Sequence, residues 1–154
     1  MIHLSNRSPS RLRGDLIRKA AAATLARFGK EGHDVEIILT DDTEMMEINR
    51  LFRQIEEPTD VLSFPAPSEI PNWLGEIAIS VDFAARQAVL RHVSKSEEAA
   101  MLAIHGCLHL VGFEDETDRG RDEMARLQAE IAAGLGFRAD DDWHSLPHGP
   151  GDAR

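Results

Sequence analysis

Residues 99–116, AAMLAIHGCLHLVGFEDE, join an apolar segment to two histidines, a glycine and three acidic side chains. The segment from Ala99 to Val111 is apolar on almost every side, which is typical of a helix that is buried all round. His105 and His109 are four residues apart, so on a helix both imidazoles lie on one face, one turn apart. We therefore expect a buried helix that carries both histidines.

The residues that follow these histidines complete a pattern that suits a zinc ion. Gly112 is a residue type that ends helices in the left-handed conformation, and Glu114, Asp115 and Glu116 come directly after that turn. Zinc binds imidazole nitrogens at about 2.0–2.1 Å and carboxylate oxygens at about 2.0–2.2 Å. Three protein ligands with an open fourth position are typical of a catalytic zinc. The pattern therefore predicts a catalytic metal site.

A simpler interpretation of the same residues stays open. Two histidines on an apolar helix also suit hydrogen-bonded core residues. Acidic side chains likewise favour the start of a following helix, where they offset its dipole, and we expect that role for Glu114 and Glu116. The single cysteine, Cys107, lies between the histidines on the opposite side of the helix and is expected to fill the core.

Length and composition predict one domain. The chain has 154 residues, 42% of them hydrophobic, which is enough for one compact core and short for two. We assign residues 1–140 to this domain and residues 141–154, which have no hydrophobic period, to a flexible tail. Neither an apolar run of about 18 residues nor a signal peptide is present. We therefore expect a cytoplasmic protein without membrane contact.

The charge balance argues against nonspecific attraction to nucleic acid. The formal net charge is −10, and such attraction depends on Lys and Arg that neutralise phosphates. Local charge can differ from the total, because Arg86, Arg91, His92 and Lys95 form one basic cluster. A solvated helix face explains that cluster equally well.

Hydrophobic periodicity predicts an α+β fold. We expect a small mixed sheet of three or four strands packed against about five helices, with the histidine helix at the centre. The predicted strands are residues 35–40, 60–64 and 74–80. The predicted helices are residues 11–28, 43–53 and 83–92, the histidine helix up to residue 111, and residues 117–135. The predicted N-terminal caps are Ser10, Asp42, Ser94 and Thr117.

Three segments together carry a family resemblance. They are PTDVLSF (Pro58 to Phe64), LGEIAIS (Leu74 to Ser80) and HGCLHLVGFED (His105 to Asp115). In order and spacing they resemble the TDVLSFP, LGDIxIS and HGxLHLxGYDH elements of the YbeY family. That family comprises bacterial endoribonucleases of ribosomal RNA maturation and ribosome quality control. The similarity extends from about residue 35 to residue 135.

The resemblance implies a set of functional residues. It implies a zinc ion held by His105, His109 and the residue at the third ligand position, which is Asp115 here and a histidine in the family. It also points to Arg53 as the group that grips a phosphate. The implied activity is cleavage of single-stranded RNA in maturation of the 16S 3′ end, with an rRNA precursor and the ribosome or small-subunit proteins as partners. Without the resemblance, Arg53 is a surface arginine at a helix end.

Two other functions remain as alternatives. Because the third ligand differs from the family's, the protein could be a ribosome-associated binding module with a degenerate metal site. It could also hydrolyse another substrate, such as a peptide. Peptidases of the HExxH type carry a glutamate directly after the first histidine, whereas this chain has Gly106 there. Glu76, Glu114 and Glu116 are candidate general bases, and the sequence selects none of them.

Overall fold

The computed structural model describes residues 1–138, 140, 142 and 143, and within these residues the chain forms five helices and four strands. The strands are β1 (Ile2–Asn6), β2 (Asp34–Thr40), β3 (Val61–Pro65) and β4 (Trp73–Ser80). The helices are α1 (Gly14–Arg27), α2 (Asp42–Arg53), α3 (Val81–Arg91), α4 (Lys95–Leu110) and α5 (Asp118–Gly134). The predicted α+β class is confirmed.

The strands form one mixed sheet in the order β1-β2-β4-β3. The first three strands in this order run parallel, and β3 pairs antiparallel with β4 at the edge. Successive strand residues point to opposite faces. Ile77 of β4 therefore joins the main core with α1, α3, α4 and α5, whereas Ala78 packs with Leu62 and Met45 under α2. Helices thus cover both faces, and α2 alone forms the second layer.

Helix α4 is the centre of the main core. Thirteen of its 16 residues are buried, including every residue from Ala99 to His109. It contacts α1, α3 and α5 as well as β3 and β4. Gly106 permits the close approach to the sheet, because a Cβ at this position would lie 2.8 Å from Cγ2 of Ile77. The predicted central position of the histidine helix is confirmed.

Two of the predicted helix caps are wrong. Helix α1 begins at Gly14 and its N-cap is Arg13, which makes no side-chain hydrogen bond, so Ser10 does not cap it. The N-cap of α2 is Asp41, whose side chain accepts a hydrogen bond from the N–H of residue 44; Asp42 is the first helical residue. With two adjacent aspartates, the sequence pattern could not choose between these positions.

The other two caps are confirmed. The side chain of Ser94 accepts a hydrogen bond from the N–H of Glu97, and that of Thr117 accepts one from the N–H of Gly120.

Strand β1 was not predicted. Its sequence, IHLSN, alternates apolar and polar residues over only four positions, and its parallel pairing with β2 is a long-range contact that local periodicity does not reveal.

The predicted division into a domain at 1–140 and a tail at 141–154 stays a prediction. Of the tail, only residues 142 and 143 are described, and the remainder lies outside the described residues, as does residue 139. No helix in the described part of the chain is long and apolar enough to cross a bilayer.

The close packing at Gly106 gives a prediction about stability. We expect Gly106→Ala to lower the free energy of unfolding by about 1–3 kcal/mol, because a new methyl group would force apart a packed helix and strand. Urea denaturation followed by circular dichroism measures this difference. Gly134→Ala is the matched control, since a Cβ there meets no atom within 4 Å. Equal stability of the Gly106→Ala variant and the parent would contradict the packing.

Candidate metal centre

Two buried imidazoles face each other near the C-terminal end of α4. His105 and His109 lie one turn apart, as their spacing predicts, and both side chains are buried. Their Nε2 atoms are 3.0 Å apart, and the two rings meet nearly edge to face at an interplanar angle of 75°. The apolar sequence around them places both rings in the interior, and the helical period points both at the same spot.

The chain turns back towards these imidazoles after α4 ends. Gly112 has a φ of 110°, in the left-handed region that favours glycine. The N–H of the next residue, Phe113, donates to the carbonyl oxygen of Leu108. This turn brings Asp115 back over the helix end. Its Oδ2 lies 3.4 Å from Nε2 of His105 and 3.5 Å from Nε2 of His109.

The two neighbouring glutamates do not join this group. Glu114 accepts hydrogen bonds from the N–H of Glu116, from the N–H of Thr117 and from the Thr117 hydroxyl. The hydrogen bond from the Thr117 hydroxyl is the main cause that lowers the pKa of the Glu114 carboxyl. Glu116 is exposed. Among the described residues, the one group whose atoms could hold a metal ion is therefore His105, His109 and Asp115.

Hydrogen bonds at the other ring nitrogens set the tautomer of both histidines. Nδ1 of His109 lies 3.0 Å from the carbonyl oxygen of Phe113, an atom that only accepts, so Nδ1 donates. Nδ1 of His105 lies 2.6 Å from Oε1 of Gln128 and donates to it in the same way. In the neutral imidazoles, Nε2 of each ring then carries a lone pair that points towards the other ring and Asp115.

Gln128 is a site residue that we did not identify from the sequence. It comes from α5, whose predicted apolar stripe included Met124, Leu127 and Ile131. Gln128 lies four residues after Met124 and three before Ile131, so it occupies the same buried face. A polar side chain within an apolar stripe requires a hydrogen-bond partner. That was the available signal, although the identity of the partner depends on how α5 packs against α4.

The geometry and charge of the three donor atoms suit a cation. Their separations of 3.0–3.5 Å match the ~3.3 Å between neighbouring ligands that a tetrahedral shell with bonds of about 2.0 Å requires. Burial alone raises the pKa of the Asp115 carboxyl, but when the two imidazoles are protonated, their hydrogen bonds and charge outweigh burial and hold this pKa well below its usual range. Asp115 is therefore an anion at neutral pH. The group could hold a metal ion.

A second set of buried polar contacts joins α4 to the end of α3 and to Trp143. Glu98 is fully buried, accepts a hydrogen bond of 2.7 Å from Nε1 of Trp143 and forms an ion pair with Arg91. The Trp143 ring in turn packs against His105, with ring centroids 6.0 Å apart. Burial raises the pKa of the Glu98 carboxyl against the opposing influence of Trp143 and Arg91. The Trp143 ring, held by Glu98, thus packs against one side of the His105 ring.

The two arginines of the basic cluster considered in the sequence are paired with carboxylates within the protein. Arg86 pairs with Asp42 at 2.9 Å, and Arg91 pairs with Glu98 and with Asp140. The ammonium group of the cluster's lysine donates a hydrogen bond to a serine hydroxyl. The arginines therefore hold elements of the fold together, and their charge is offset by the paired carboxylates.

Arg53 lies on a different element from the three donors. It is the last residue of α2, on the sheet face opposite α4, and its side chain is half-buried. The preceding residue, Phe52, packs against Phe64 of edge strand β3. On the α4 side of the same strand, the Ser63 hydroxyl donates to the carbonyl oxygen of Gly106 at 3.3 Å. Strand β3 thus contacts both the end of α2, through Phe64, and Gly106 of α4, through Ser63.

Known proteins match this chain over most of its length. A family model described as Endoribonuclease YbeY matches residues 5–136. The Endoribonuclease YbeY of Azorhizobium caulinodans is 37% identical over 135 residues, which cover 83% of this chain and 83% of that protein. The Endoribonuclease YbeY of Aquifex aeolicus is 39% identical over 120 residues, which cover 77% of this chain and 79% of that protein.

The fold also has a counterpart among solved structures. The solution structure of TM1509 from Thermotoga maritima superposes with a TM-score of 0.59 at 25% sequence identity, covering 88% of this chain and 92% of that chain. Residues 5–136, which the family model matches, include all nine described helices and strands except the start of β1. The resemblance that three short motifs carried is therefore confirmed along the domain, and the chain belongs to the Endoribonuclease YbeY family.

Proposed function

We propose that this protein is a zinc-dependent endoribonuclease that cleaves single-stranded RNA in the cytoplasm. Its proposed role is maturation of ribosomal RNA at the 16S 3′ end and ribosome quality control. The observation that carries this proposal is the triangle of donor atoms from His105, His109 and Asp115, in a chain that belongs to an endoribonuclease family. The three residues are the proposed metal ligands.

The donor set favours zinc over magnesium or calcium. Imidazole nitrogen is a good ligand for zinc, whereas magnesium and calcium select oxygen ligands. Zinc supplies Lewis acidity, which polarises a phosphoryl oxygen and makes a water molecule or hydroxyl group more acidic. Gln128 and the carbonyl oxygen of Phe113 hold the two imidazoles in the tautomer that offers Nε2 to the metal. Such outer contacts orient metal ligands and raise their basicity.

The third ligand is the point at which this chain departs from the family pattern. An aspartate in place of a histidine brings one negative charge to the site and lowers the net positive charge of the loaded centre. Positive charge on the imidazole side favours the ionised carboxylate, as protonated imidazoles do, and a bound metal ion would supply that charge instead. Asp115 is therefore suited to replace a neutral ligand, and we propose that the site is functional and not degenerate.

Arg53 is the proposed phosphate-binding group. Phosphoryl transfer spreads negative charge over the nonbridging oxygens, and a planar guanidinium can contact two of them at once. Edge strand β3 contacts the end of α2 on one face of the sheet and α4 on the other, so an RNA strand that crosses this edge would meet both Arg53 and the proposed metal. The general base stays unassigned. Glu114 is engaged in the turn before α5, which leaves Glu76 and Glu116 as the freer candidates.

A peptidase function is disfavoured by the packing of α4. The position that carries the catalytic glutamate in HExxH peptidases is Gly106, and its Cα faces Ile77 of the sheet. A side chain there would point into the core and away from the donors. Because a net charge of −10 gives the protein little attraction to free RNA, we propose that small-subunit proteins are the partners that bring it to its RNA on the ribosome.

The first prediction from the proposed function concerns metal content. Purified without chelator, the parent protein is expected to contain about one zinc per chain by elemental analysis. His105→Ala and Asp115→Ala are expected to lose it, because each removes one of three ligands. Asp115→His is the matched control, since it restores the family's ligand and should retain zinc. A parent that takes up no zinc would support the alternative of a ribosome-associated module with a degenerate site.

The second prediction concerns Gln128. We expect Gln128→Leu to weaken zinc binding by roughly 10- to 100-fold, the usual effect of removing a hydrogen-bond partner of a ligating histidine. Gln128→Glu keeps the acceptor and should bind zinc at least as tightly as the parent. Competition with a chromogenic chelator gives both affinities, after thermal unfolding has shown that the variants fold. Unchanged affinity in Gln128→Leu would rule out the orienting role.

The third prediction concerns Arg53. We expect Arg53→Ala to lower kcat on single-stranded RNA by about 10²–10³, the usual effect of losing one donor to developing charge. Arg53→Lys should recover only part of this loss, because an ammonium cannot form the bidentate fork. Arg50→Ala is the control from the same helix, since it also removes one guanidinium and no phosphate contact is proposed for Arg50. Equal cleavage by the Arg53→Ala and Arg50→Ala variants would refute the assignment.

A further inference from the structure

An exposed aromatic ring lies at the end of α2, directly before Arg53. The side chain of Phe52 is 69% exposed, and that of Leu51 beside it is 59% exposed. The Phe52 ring is also held in place, because it packs against the Phe64 ring with centroids 5.2 Å apart and planes at 55°. A large apolar ring that is supported on one side and open on the other is a suitable surface for a flat ligand.

Phe64, which supports this ring, belongs to a strand that lies close to the C-terminal end of α4. A Cβ built on Gly75 of β4 would collide with the carbonyl oxygen of Phe64 and would lie 3.1 Å from Cδ2 of Leu110. The backbone of Phe64 and the side chain of Leu110 therefore approach the same point on β4, from the edge strand and from α4 respectively. Leu110 directly follows the proposed ligand His109. The Phe52 ring thus lies near the same end of the sheet as the C-terminal end of α4, on the opposite face, where its support Phe64 packs with Leu62 and Met45.

The neighbouring cation indicates which flat ligand the ring would accept. A nucleotide in a single strand presents a base with two open faces and a charged phosphate within one unit. Phe52 and Arg53 present a ring and a guanidinium from consecutive residues of one helix end. Proteins that bind single strands combine aromatic rings for the bases with cations for the backbone. A paired base has no free face, so such a ring selects unpaired RNA.

We infer that the exposed face of Phe52 is a stacking site for one unpaired base of the RNA substrate, next to the phosphate that Arg53 contacts. This inference rests on the proposed endoribonuclease function and adds a subsite to it. A protein partner is the weaker occupant, because specific protein interfaces bury about 800 Å² on each side. One ring and one neighbouring leucine fall far short of that area.

The test measures binding and cleavage of a short single-stranded RNA by the zinc-loaded protein. Phe52→Ala and Phe52→Leu are expected to weaken binding about tenfold, since loss of one base–aromatic stack typically has an effect of this size. Phe52→Trp should bind at least as tightly as the parent. In cleavage assays the loss should appear in KM more than in kcat. Val89→Ala, at an exposed apolar position of α3 that is 73% exposed, is the control and should change neither constant.

Abasic substitutions in the RNA distinguish stacking from a general loss of apolar surface. Each base is removed in turn, and one position should weaken binding to the parent by the same factor as Phe52→Ala. At that position, Phe52→Ala should add no further loss. Additive losses at every position would overturn the inference, because no single base would then depend on the ring.

Other outcomes separate this inference from the proposed function. If the parent cleaves RNA and Phe52→Ala leaves KM unchanged, the stacking site is refuted while the endoribonuclease function stands. If Phe52→Ala keeps its RNA affinity but loses cosedimentation with ribosomes, the ring contacts a protein and the inference is overturned. If the zinc-loaded parent neither binds nor cleaves single-stranded RNA, the stacking site and the proposed substrate are refuted together.

Discussion

The packing of α4 against β4 is the constraint on which the site depends. At Gly106 the helix approaches the sheet so closely that Ile77 fills the space of a side chain. This contact sets the rotation of α4, and the rotation decides which side of the helix carries His105 and His109. Since a core packed to crystal-like density has few alternative arrangements, the imidazoles are positioned before any metal binds. The residue that excludes an HExxH glutamate is therefore also the one that positions the histidines.

Elements that follow α4 provide the remaining parts of the site. The left-handed residue Gly112 turns the chain, Asp115 completes the donor set, and Gln128 of α5 orients His105. Glu114 ties the turn to the start of α5 through its hydrogen bonds to backbone N–H groups. One short segment thus connects the third donor to the helix that carries the orienting glutamine. A change in how α5 begins would move both of these residues together.

Sequence patterns predicted the parts of the site that are local along the chain. The i, i+4 histidines, the glycine turn and the carboxylates after it are all within 12 residues, and helical geometry was sufficient to relate them. The contacts of Gln128 and of the Trp143–Glu98 pair were not predicted, because each joins residues more than 20 positions apart. Strand β1 was missed for the same reason. The sequence alone predicts which side chains need partners, and the packing of the helices determines which partners they find.

The charge distribution explains why recognition of RNA must act at short range. The chain has 27 acidic and 17 basic residues, and many of its arginines are paired with carboxylates, as in Arg27–Glu130 and Arg86–Asp42. An overall negative charge repels a polyanion at distances up to a Debye length, about 8 Å at physiological salt. Binding energy must therefore come from contacts that form only at close approach. The proposed metal ion, guanidinium and stacked base would be such contacts, and they would discriminate between substrates by shape where a basic surface would bind any nucleic acid.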